Sequence, residues 1–427
     1  MRFRFTIIWI TLWLSWSSLE AAVYEYPYRD PYLATVTTAI LNDARLTPRV
    51  KSQMVHVPGL PGRNQFPSLE GRGQVGVALY RQNRPAPLLF ILSGIGTNPY
   101  FGVGTYLARL FYQEGFHVVI LPSPLSWNFA LSASRSGAPG YAPQDARDLY
   151  EVMQKCLWSL KNRYNVKFSE INFMGLSLGA LEGAYLSVID DEEQKIGIEK
   201  YLLINPPLDL SYALKQVDDW SALKDRFGAK KARRIVENAL SIIEPFSNET
   251  RDNRTVYDRL VKKFTSFTTE ELQFLIAENL RTLLPELVYV SQVIHDQKVL
   301  TAAQDDVRKR LEEAKDLTFT EYNEKVALPL WRLQQREPQA DLESFMKRGS
   351  LAPILDRLRE NPKVHIMHNA DDVFTDKESI DGLKEVMGDQ VTIYSHGGHL
   401  GNLWYRENKE RALEFISARP LLSRSSP

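Results

Sequence analysis

Short apolar segments alternate with helical patterns along the first half of this chain, and this alternation restricts its possible folds more than any other feature. Strands are expected at about Gln74–Tyr80, Leu88–Ser93, Phe116–Leu121, Glu170–Met174 and Lys200–Ile204, with helical patterns after several of them. Such short apolar strands are typical of a parallel sheet that helices cover on both faces. The expected fold class is therefore α/β, with a doubly wound and mostly parallel sheet.

A helix-rich block interrupts the alternation. From about residue 208 to 351 the chain is charged, with apolar residues at helical spacing and no convincing strand. Residues 268–271 form a capping-box sequence, which is typical of a helix start. Because a block of roughly 140 residues is too long for a simple connection, we expect it to be a large helical insertion.

Two further strands are expected after the block, at about Lys363–His368 and Gln390–Tyr394, followed by an amphipathic helix at about Tyr405–Ala418. The sheet core is therefore expected in two parts. The segments suggested by these patterns are a signal peptide at 1–22, an irregular N-terminal arm at 23–72, the first part of the core at 73–207, the helical cap insertion at 208–351 and the second part of the core at 352–427.

The N-terminus has the pattern of a secretory signal. Arg2 and Arg4 precede an apolar run from Phe5 to Trp16, and small and polar residues follow up to Ala22. The run is too short to span a bilayer comfortably, so we expect no stable membrane span once the signal is removed. An uncleaved N-terminal anchor is the alternative.

Composition limits the partners and the compartment. Lysine plus arginine and aspartate plus glutamate both number 52, so no overall charge favours nucleic acid. Cys156 is the only cysteine, and it is expected to be an inert thiol inside a helix. An exported chain that cannot form an intrachain disulfide fits a bacterial periplasm better than a eukaryotic extracellular space, so we expect a periplasmic or secreted bacterial protein.

The segment Gly175-Leu176-Ser177-Leu178-Gly179 follows an expected strand and precedes a helical stretch. A G-x-S-x-G sequence in this setting is typical of a sharp turn that exposes a serine hydroxyl. Serine is a poor nucleophile unless a base and hydrogen-bond donors for the oxyanion surround it. Ser177 is therefore the candidate nucleophile.

The candidate base is His399, which lies between glycines directly after the strand at 390–394. Glycines on both sides allow the imidazole to approach another loop closely. Asp371 and Asp372 follow the strand at 363–368, and only one of them is expected to reach His399 and orient it. The strand histidines His365 and His368 are expected to be packing residues.

Two backbone amides are needed to bind a developing oxyanion. The first is the amide of the residue after the nucleophile, Leu178. The second is expected in the glycine-containing loop after the strand at 88–93, where Ile95 is preferred and Gly96 is the alternative.

The order Ser177…Asp372…His399 resembles that of the α/β-hydrolase superfamily, over roughly 73–207 and 352–418. Many members have His-Gly-x-Gly where this chain has Ser93-Gly-Ile-Gly. The acid of the family is commonly the fourth residue of a G-x-x-D turn; residues 369–372 match that register with Asn in place of Gly, which favours Asp372. The insertion before the acid strand is similar to the helical cap of some members.

The resemblance implies a serine hydrolase that cleaves a carboxylic ester or thioester through an acyl-enzyme, without a cofactor. The apolar helix faces of the insertion favour an apolar or lipid-like ester substrate. No metal-ligand pattern such as H-E-x-x-H or paired C-x-x-C occurs in the sequence. The alternatives are a peptidase or acyltransferase that uses the same triad, and a non-catalytic envelope protein on a hydrolase scaffold.

Overall fold

The computed structural model describes residues 24–38, 50–63, 66, 69, 72–95, 102–243 and 253–417. The predicted signal peptide at 1–22 and the alternative oxyanion residue Gly96 lie outside these residues, as does part of the predicted N-terminal arm.

A single sheet lies at the centre of the described structure. Its strands are β1 (Gln53–Pro58), β2 (Gln74–Tyr80), β3 (Ala86–Leu92), β4 (His117–Leu121), β5 (Phe168–Leu176), β6 (Lys200–Ile204), β7 (Val364–Asn369) and β8 (Val391–Tyr394).

The strand order across the sheet is β1-β2-β4-β3-β5-β6-β7-β8. β2 is antiparallel to both of its neighbours, and every pair from β4 to β8 is parallel. All residues of β4 and β7 are buried, as expected for parallel strands with helices on both sides. The expected fold class, a mostly parallel α/β sheet, is confirmed.

The helices cover both faces of this sheet. They are α1 (Pro31–Val36), α2 (Val103–Gln113), α3 (Trp127–Ser132), α4 (Ala142–Asn162), α5 (Leu178–Glu193), α6 (Leu210–Ser221), α7 (Leu223–Phe227), α8 (Ala229–Ile243), α9 (Asn253–Phe264), α10 (Thr269–Arg281), α11 (Leu284–Ile294), α12 (Val307–Ala314), α13 (Phe319–Tyr322), α14 (Leu328–Gln335), α15 (Leu342–Gly349), α16 (Leu355–Glu360), α17 (Lys377–Met387) and α18 (Arg406–Ser417).

The direction of the crossovers explains why both faces are covered. The chain steps from β3 to β4 in one direction across the sheet and from β4 back to β5 in the other. Because connections between parallel strands are right-handed, α2 lies on one face and the pair α4 and α5 on the opposite face. The carboxyl ends of the parallel strands all meet at one edge, where open α/β sheets bind their ligands.

The predicted helical block is helical throughout its described part. Between β6 and β7 the described residues contain helices α6 to α16 and no strand. Thr268 begins α10 with a capping box, because its hydroxyl accepts from the amide of Glu271 and the Glu271 carboxylate accepts from the amide of Thr268. The exact boundaries of the five predicted segments stay predictions.

The arm at 23–72 differs from the irregular segment expected from its sequence. β1 adds an antiparallel edge to β2, and its alternate residues Val55 and Val57 are fully buried. The helix α1 begins at Pro31, where the side chain of Asp30 caps the amide of Leu33. The two buried valines of β1 give an alternation too short to stand out in a stretch rich in Pro and Gly.

The single cysteine is buried in α4, as expected for a thiol with a packing role. Burial raises the pKa of Cys156 to about 12, so the thiolate that would react is not formed near neutral pH. None of the described helices is both long enough and apolar enough to cross a bilayer.

Candidate active site

Ser177 lies on a strained turn between β5 and α5. Its backbone has φ of +55° and ψ of −127°, a conformation that L-residues rarely adopt. A Cβ atom on Gly175 would lie 2.2 Å from the carbonyl oxygen of Gly179, and one on Gly179 would lie 2.3 Å from the carbonyl oxygen of Leu92. The two glycines of the motif are therefore needed because α5 starts in direct contact with β5 and β3.

The structure brings Ser177, His399 and Asp372 together in one hydrogen-bonded chain. Nε2 of His399 lies 2.8 Å from Oγ of Ser177. On the other side of the ring, Nδ1 lies 3.0 and 2.9 Å from the two carboxylate oxygens of Asp372. The histidine follows β8 and the aspartate follows β7, so neighbouring parallel strands place both next to the serine.

Two further donors hold Asp372 in place. Its Oδ2 accepts a 2.7 Å hydrogen bond from the side-chain amide of Asn205, and its Oδ1 accepts a 2.9 Å bond from the amide of Phe374. Burial alone would raise the pKa of Asp372, but the charge and the hydrogen bond of His399 outweigh it and keep the pKa below its ordinary value. Asp372 is therefore a buried, ionised carboxylate that faces Nδ1.

Asp371 contacts the backbone of the loop that carries His399, and not its imidazole. Its Oδ1 accepts a 2.9 Å hydrogen bond from the amide of Gly398, and its Oδ2 is buried without a partner among the described residues. Burial raises the pKa of this carboxyl. Of the two adjacent aspartates, Asp372 contacts the imidazole and Asp371 holds the backbone of the histidine loop.

The two residues predicted to supply oxyanion amides, Leu178 and Ile95, lie beside Ser177. Leu178 is the first residue of α5, so its N–H has no acceptor within the helix. The loop after β3 passes close to the turn that carries Ser177. A Cβ atom on Gly94 in this loop would lie 2.7 Å from Cβ of Ser177. Ile95 follows it, and Ile95 and Leu178 line the same cavity as Ser177 and His399.

Sequence reasoning missed the role of the N-terminal arm. The hydroxyl of Thr35 in α1 accepts a 2.8 Å hydrogen bond from the amide of His399. A Cβ atom on Gly398 would lie 2.3 Å from the carbonyl oxygen of Pro31, and one on Gly401 would lie 2.2 Å from that of Ala34. The glycines beside the histidine predicted a close approach to another segment, and α1 is that segment.

The other histidines near these strands bond to neighbouring groups. Nε2 of His396 lies 2.6 Å from the carbonyl oxygen of Tyr26. His365 is buried against Phe415 with its Nε2 2.9 Å from the hydroxyl of Thr392, and burial lowers its pKa to about 4. Within the described residues, no group of three or more His, Cys, Asp and Glu side chains is arranged to hold a metal ion.

Two cavities meet at the serine hydroxyl. The α5 cavity lies between α4, α5, α6 and α13. The α8 cavity lies between α1, α8 and α10. Ser177, His399, Ile95, Leu280 and Phe374 line both. Helices of the block between β6 and β7 therefore form walls on both sides of the site.

No model of a known protein family matches this chain, and no curated protein matches its sequence. Among solved structures, an esterase from the archaeon Pyrobaculum calidifontis is 13% identical, with 90% of this chain and 87% of that chain covered and a TM-score of 0.43. An α/β-hydrolase from a Penicillium species is also 13% identical, covers 86% of this chain and 99% of its own, and has a TM-score of 0.40. A bacterial membrane phospholipase A is 12% identical, with 90% of each chain covered and a TM-score of 0.42.

These similarities are too low to bear on activity. The chain itself has a mostly parallel sheet, a G-x-S-x-G turn between β5 and α5, a His from a later strand that contacts the serine, and an Asp that contacts this His. By this strand arrangement, this turn and the order Ser177…Asp372…His399, the chain has the α/β-hydrolase fold.

Proposed function

We propose that the protein is a serine hydrolase that cleaves a carboxylic ester or thioester with an apolar substrate. The observation that carries the proposal is the hydrogen-bonded chain from Asp372 through His399 to Ser177 at the junction of two cavities. A serine held in a strained turn within hydrogen-bond distance of an imidazole is activated for attack on a carbonyl carbon.

The proposed reaction has two acyl-transfer steps. Oγ of Ser177 attacks the carbonyl carbon while Nε2 of His399 takes its proton, and the amides of Leu178 and Ile95 bind the oxyanion. The bond to the leaving group then breaks, and His399 returns the proton to the leaving alcohol or thiol. Water repeats the sequence and releases the acid. Asp372 keeps Nδ1 protonated and stabilises the imidazolium. No cofactor takes part.

The shape and lining of the site support an apolar substrate. Leu210, Leu214, Val217 and Met346 line the α5 cavity, while Val236, Ala239, Ile243 and Ile276 line the α8 cavity. An ester has two arms that extend from its carbonyl, so one arm in each cavity places the carbonyl at Ser177. Export to a bacterial periplasm stays a proposal that rests on the N-terminal sequence.

Hydrolysis of 4-nitrophenyl esters of increasing acyl chain length tests the proposal. We expect turnover by the purified protein, a preference for medium or long chains over acetyl, and no turnover by Ser177→Ala. Comparison with the matching anilides separates an esterase from a peptidase. A folded protein that hydrolyses none of these esters would rule out the proposed function, and a preference for acetyl would rule out the apolar substrate.

A further inference from the structure

Besides Ser177, His399 and Tyr322, three polar side chains line the largely apolar wall of the α5 cavity. They are Glu182 on α5, Asp145 on α4 and Asn323 in the π-helical turn Asn323–Ala327 that follows α13. Each is at least nine-tenths buried, and none takes part in the mechanism proposed above. Three elements from different parts of the chain therefore direct polar groups into the same space.

Glu182 lies one helical turn beyond the oxyanion amide. Leu178 and Glu182 are four residues apart on α5, so they share a face of the helix, and both line the α5 cavity. The side chain is 1% exposed, and its Oε2 has no hydrogen-bond partner among the described residues. The backbone of Glu182 thus lies about 6 Å further along α5 than that of Leu178, and its carboxylate provides an acceptor in the same cavity.

Asp145 adds a second carboxyl to this end of the cavity. It is 2% exposed, and its Oδ2 accepts a 2.7 Å hydrogen bond from the amide of Gly140. Among the described residues neither Asp145 nor Glu182 forms an ion pair, whereas the neighbouring carboxylate Asp148 is paired with Arg135. Burial raises the pKa of both carboxyls, and the nearby charge of Asp148 raises both further.

Asn323 supplies independent evidence that a ligand group belongs here. Its Nδ2 donates a 2.9 Å bond to the carbonyl of Phe319, whereas its Oδ1 is buried without a described partner. The residue is 4% exposed and begins a π-helical turn, a rare feature that often occurs at functional sites. A buried polar atom left unpaired is costly, and a bound donor group removes that cost.

We propose that the α5 cavity binds the arm of the substrate that carries a hydroxyl or ammonium group, and that Glu182, Asn323 and Asp145 accept hydrogen bonds from it. This inference adds a binding site for a polar group to the proposed function. That the bound group is part of an ester substrate rests on that function. The preferred ester then has one apolar arm, in the α8 cavity, and one arm with a polar end roughly one helical turn from the carbonyl.

Binding of unreactive ligands tests the inference without any need for turnover. Hexan-1-ol and hexan-1-ammonium carry the donor group, and methyl pentyl ether has the same number of heavy atoms as hexanol but no donor. Dissociation constants are measured by calorimetry on protein with Ser177→Ala. We expect the better of the two donor ligands to bind about ten- to a hundredfold more tightly than the ether.

Substitutions locate the effect. Glu182→Met and Asn323→Leu keep the size of each side chain and should each reduce the preference for the donor ligand to less than about threefold. Glu182→Gln keeps an acceptor but removes the charge. It should therefore abolish a preference for hexan-1-ammonium over the ether and preserve a preference for hexan-1-ol. The variant thus distinguishes an ammonium group from a hydroxyl group as the preferred donor. Glu278→Gln, the same change in the α8 cavity, is the control and should have no effect.

Two results would overturn the inference. One is equal binding of all three ligands, and the other is a preference that survives both Glu182→Met and Asn323→Leu. Because Ser177→Ala protein is used, failure of ester hydrolysis by the parent protein refutes the proposed function alone, while absence of a ligand preference in Ser177→Ala protein without further substitutions refutes this inference alone.

Discussion

The backbone amide of His399 donates a hydrogen bond to the hydroxyl of Thr35, a residue 364 positions earlier in the chain. The same hydroxyl donates to the carbonyl of Pro31 within α1, at 2.6 Å. The N-terminal arm therefore fixes the loop that carries the candidate base, although it lies outside the sheet core expected from the sequence. The arm is part of the site.

Thr35→Val should lower kcat by about three- to tenfold, since the loss of one buried hydrogen bond costs about 1 kcal/mol and loosens the histidine loop. Ester turnover and urea unfolding of the same preparations measure the effect on rate and on stability. Thr35→Ser keeps the hydroxyl and serves as the control, with turnover close to that of the parent protein. Equal activity of the valine and serine variants would show that the contact does not position His399.

The two adjacent aspartates should differ sharply in their effect on activity. Asp372→Asn removes the charge that faces Nδ1 of His399 and favours the wrong imidazole tautomer, so kcat should fall by about 10⁴-fold. Asp371→Asn retains an oxygen that can accept from the amide of Gly398, so kcat should stay within about threefold of the parent value. Ester turnover by the two variants is the measurement. A larger loss of kcat in Asp371→Asn than in Asp372→Asn would assign the acid to Asp371.

Gly179→Ala should destabilise the protein by about 2 kcal/mol or more, because the added Cβ would lie 2.3 Å from the carbonyl oxygen of Leu92 and the backbone must shift. Gly382 in α17 has open space around it, so Gly382→Ala should stabilise the helix by about 0.5–1 kcal/mol. Denaturant unfolding of the pair is the measurement. Similar free energies of unfolding for the two variants would mean that α5 does not pack closely against β3.

Acid should destabilise the protein partly through His365. Burial lowers the pKa of this imidazole to about 4 from an unfolded value near 6.5. Between these values the unfolded chain binds more protons, so the free energy of unfolding falls as the pH falls, by up to about 1.4 kcal/mol per pH unit from this group.

His365→Gln removes that group and keeps a polar atom next to Thr392, so the slope of stability against pH between about 4 and 6.5 should become shallower. Urea unfolding of both proteins across this range gives the slope. The comparison depends on the slope and not on the absolute stability, which the substitution also changes. An unaltered slope would mean that His365 is protonated in the folded protein.

The sheet and the turn that carries Ser177 could be predicted because the sequence patterns that indicate them are local. Each of the strands β2 to β6 is a short apolar run bounded by polar turns, and the glycines on either side of Ser177 mark a tight turn within five residues. The acid and the base could be predicted because each directly follows a strand. Parallel strands then bring these positions to the same edge of the sheet.

The remaining features depend on contacts between distant parts of the chain. Nothing around Thr35 indicates that it bonds to the amide of His399, and the alternation of Val55 and Val57 in β1 is too short to reveal that this strand pairs with β2. Glu182 occurs in a helix that the sequence presents only as a helical stretch after Ser177. Only the packing of α4, α5 and the turn after α13 shows that its carboxyl is buried beside Asp145 and Asn323.

The central claim is that Ser177 is a nucleophile activated by His399. Labelling with a fluorophosphonate probe, followed by mass spectrometry of the digested protein, tests it most directly, because the probe needs an activated serine and no particular substrate. We predict one phosphonyl group per chain, on the peptide that contains Ser177, and none on Ser177→Ala or His399→Ala protein. A folded parent protein that remains unlabelled, or that is labelled at another serine, would contradict the claim.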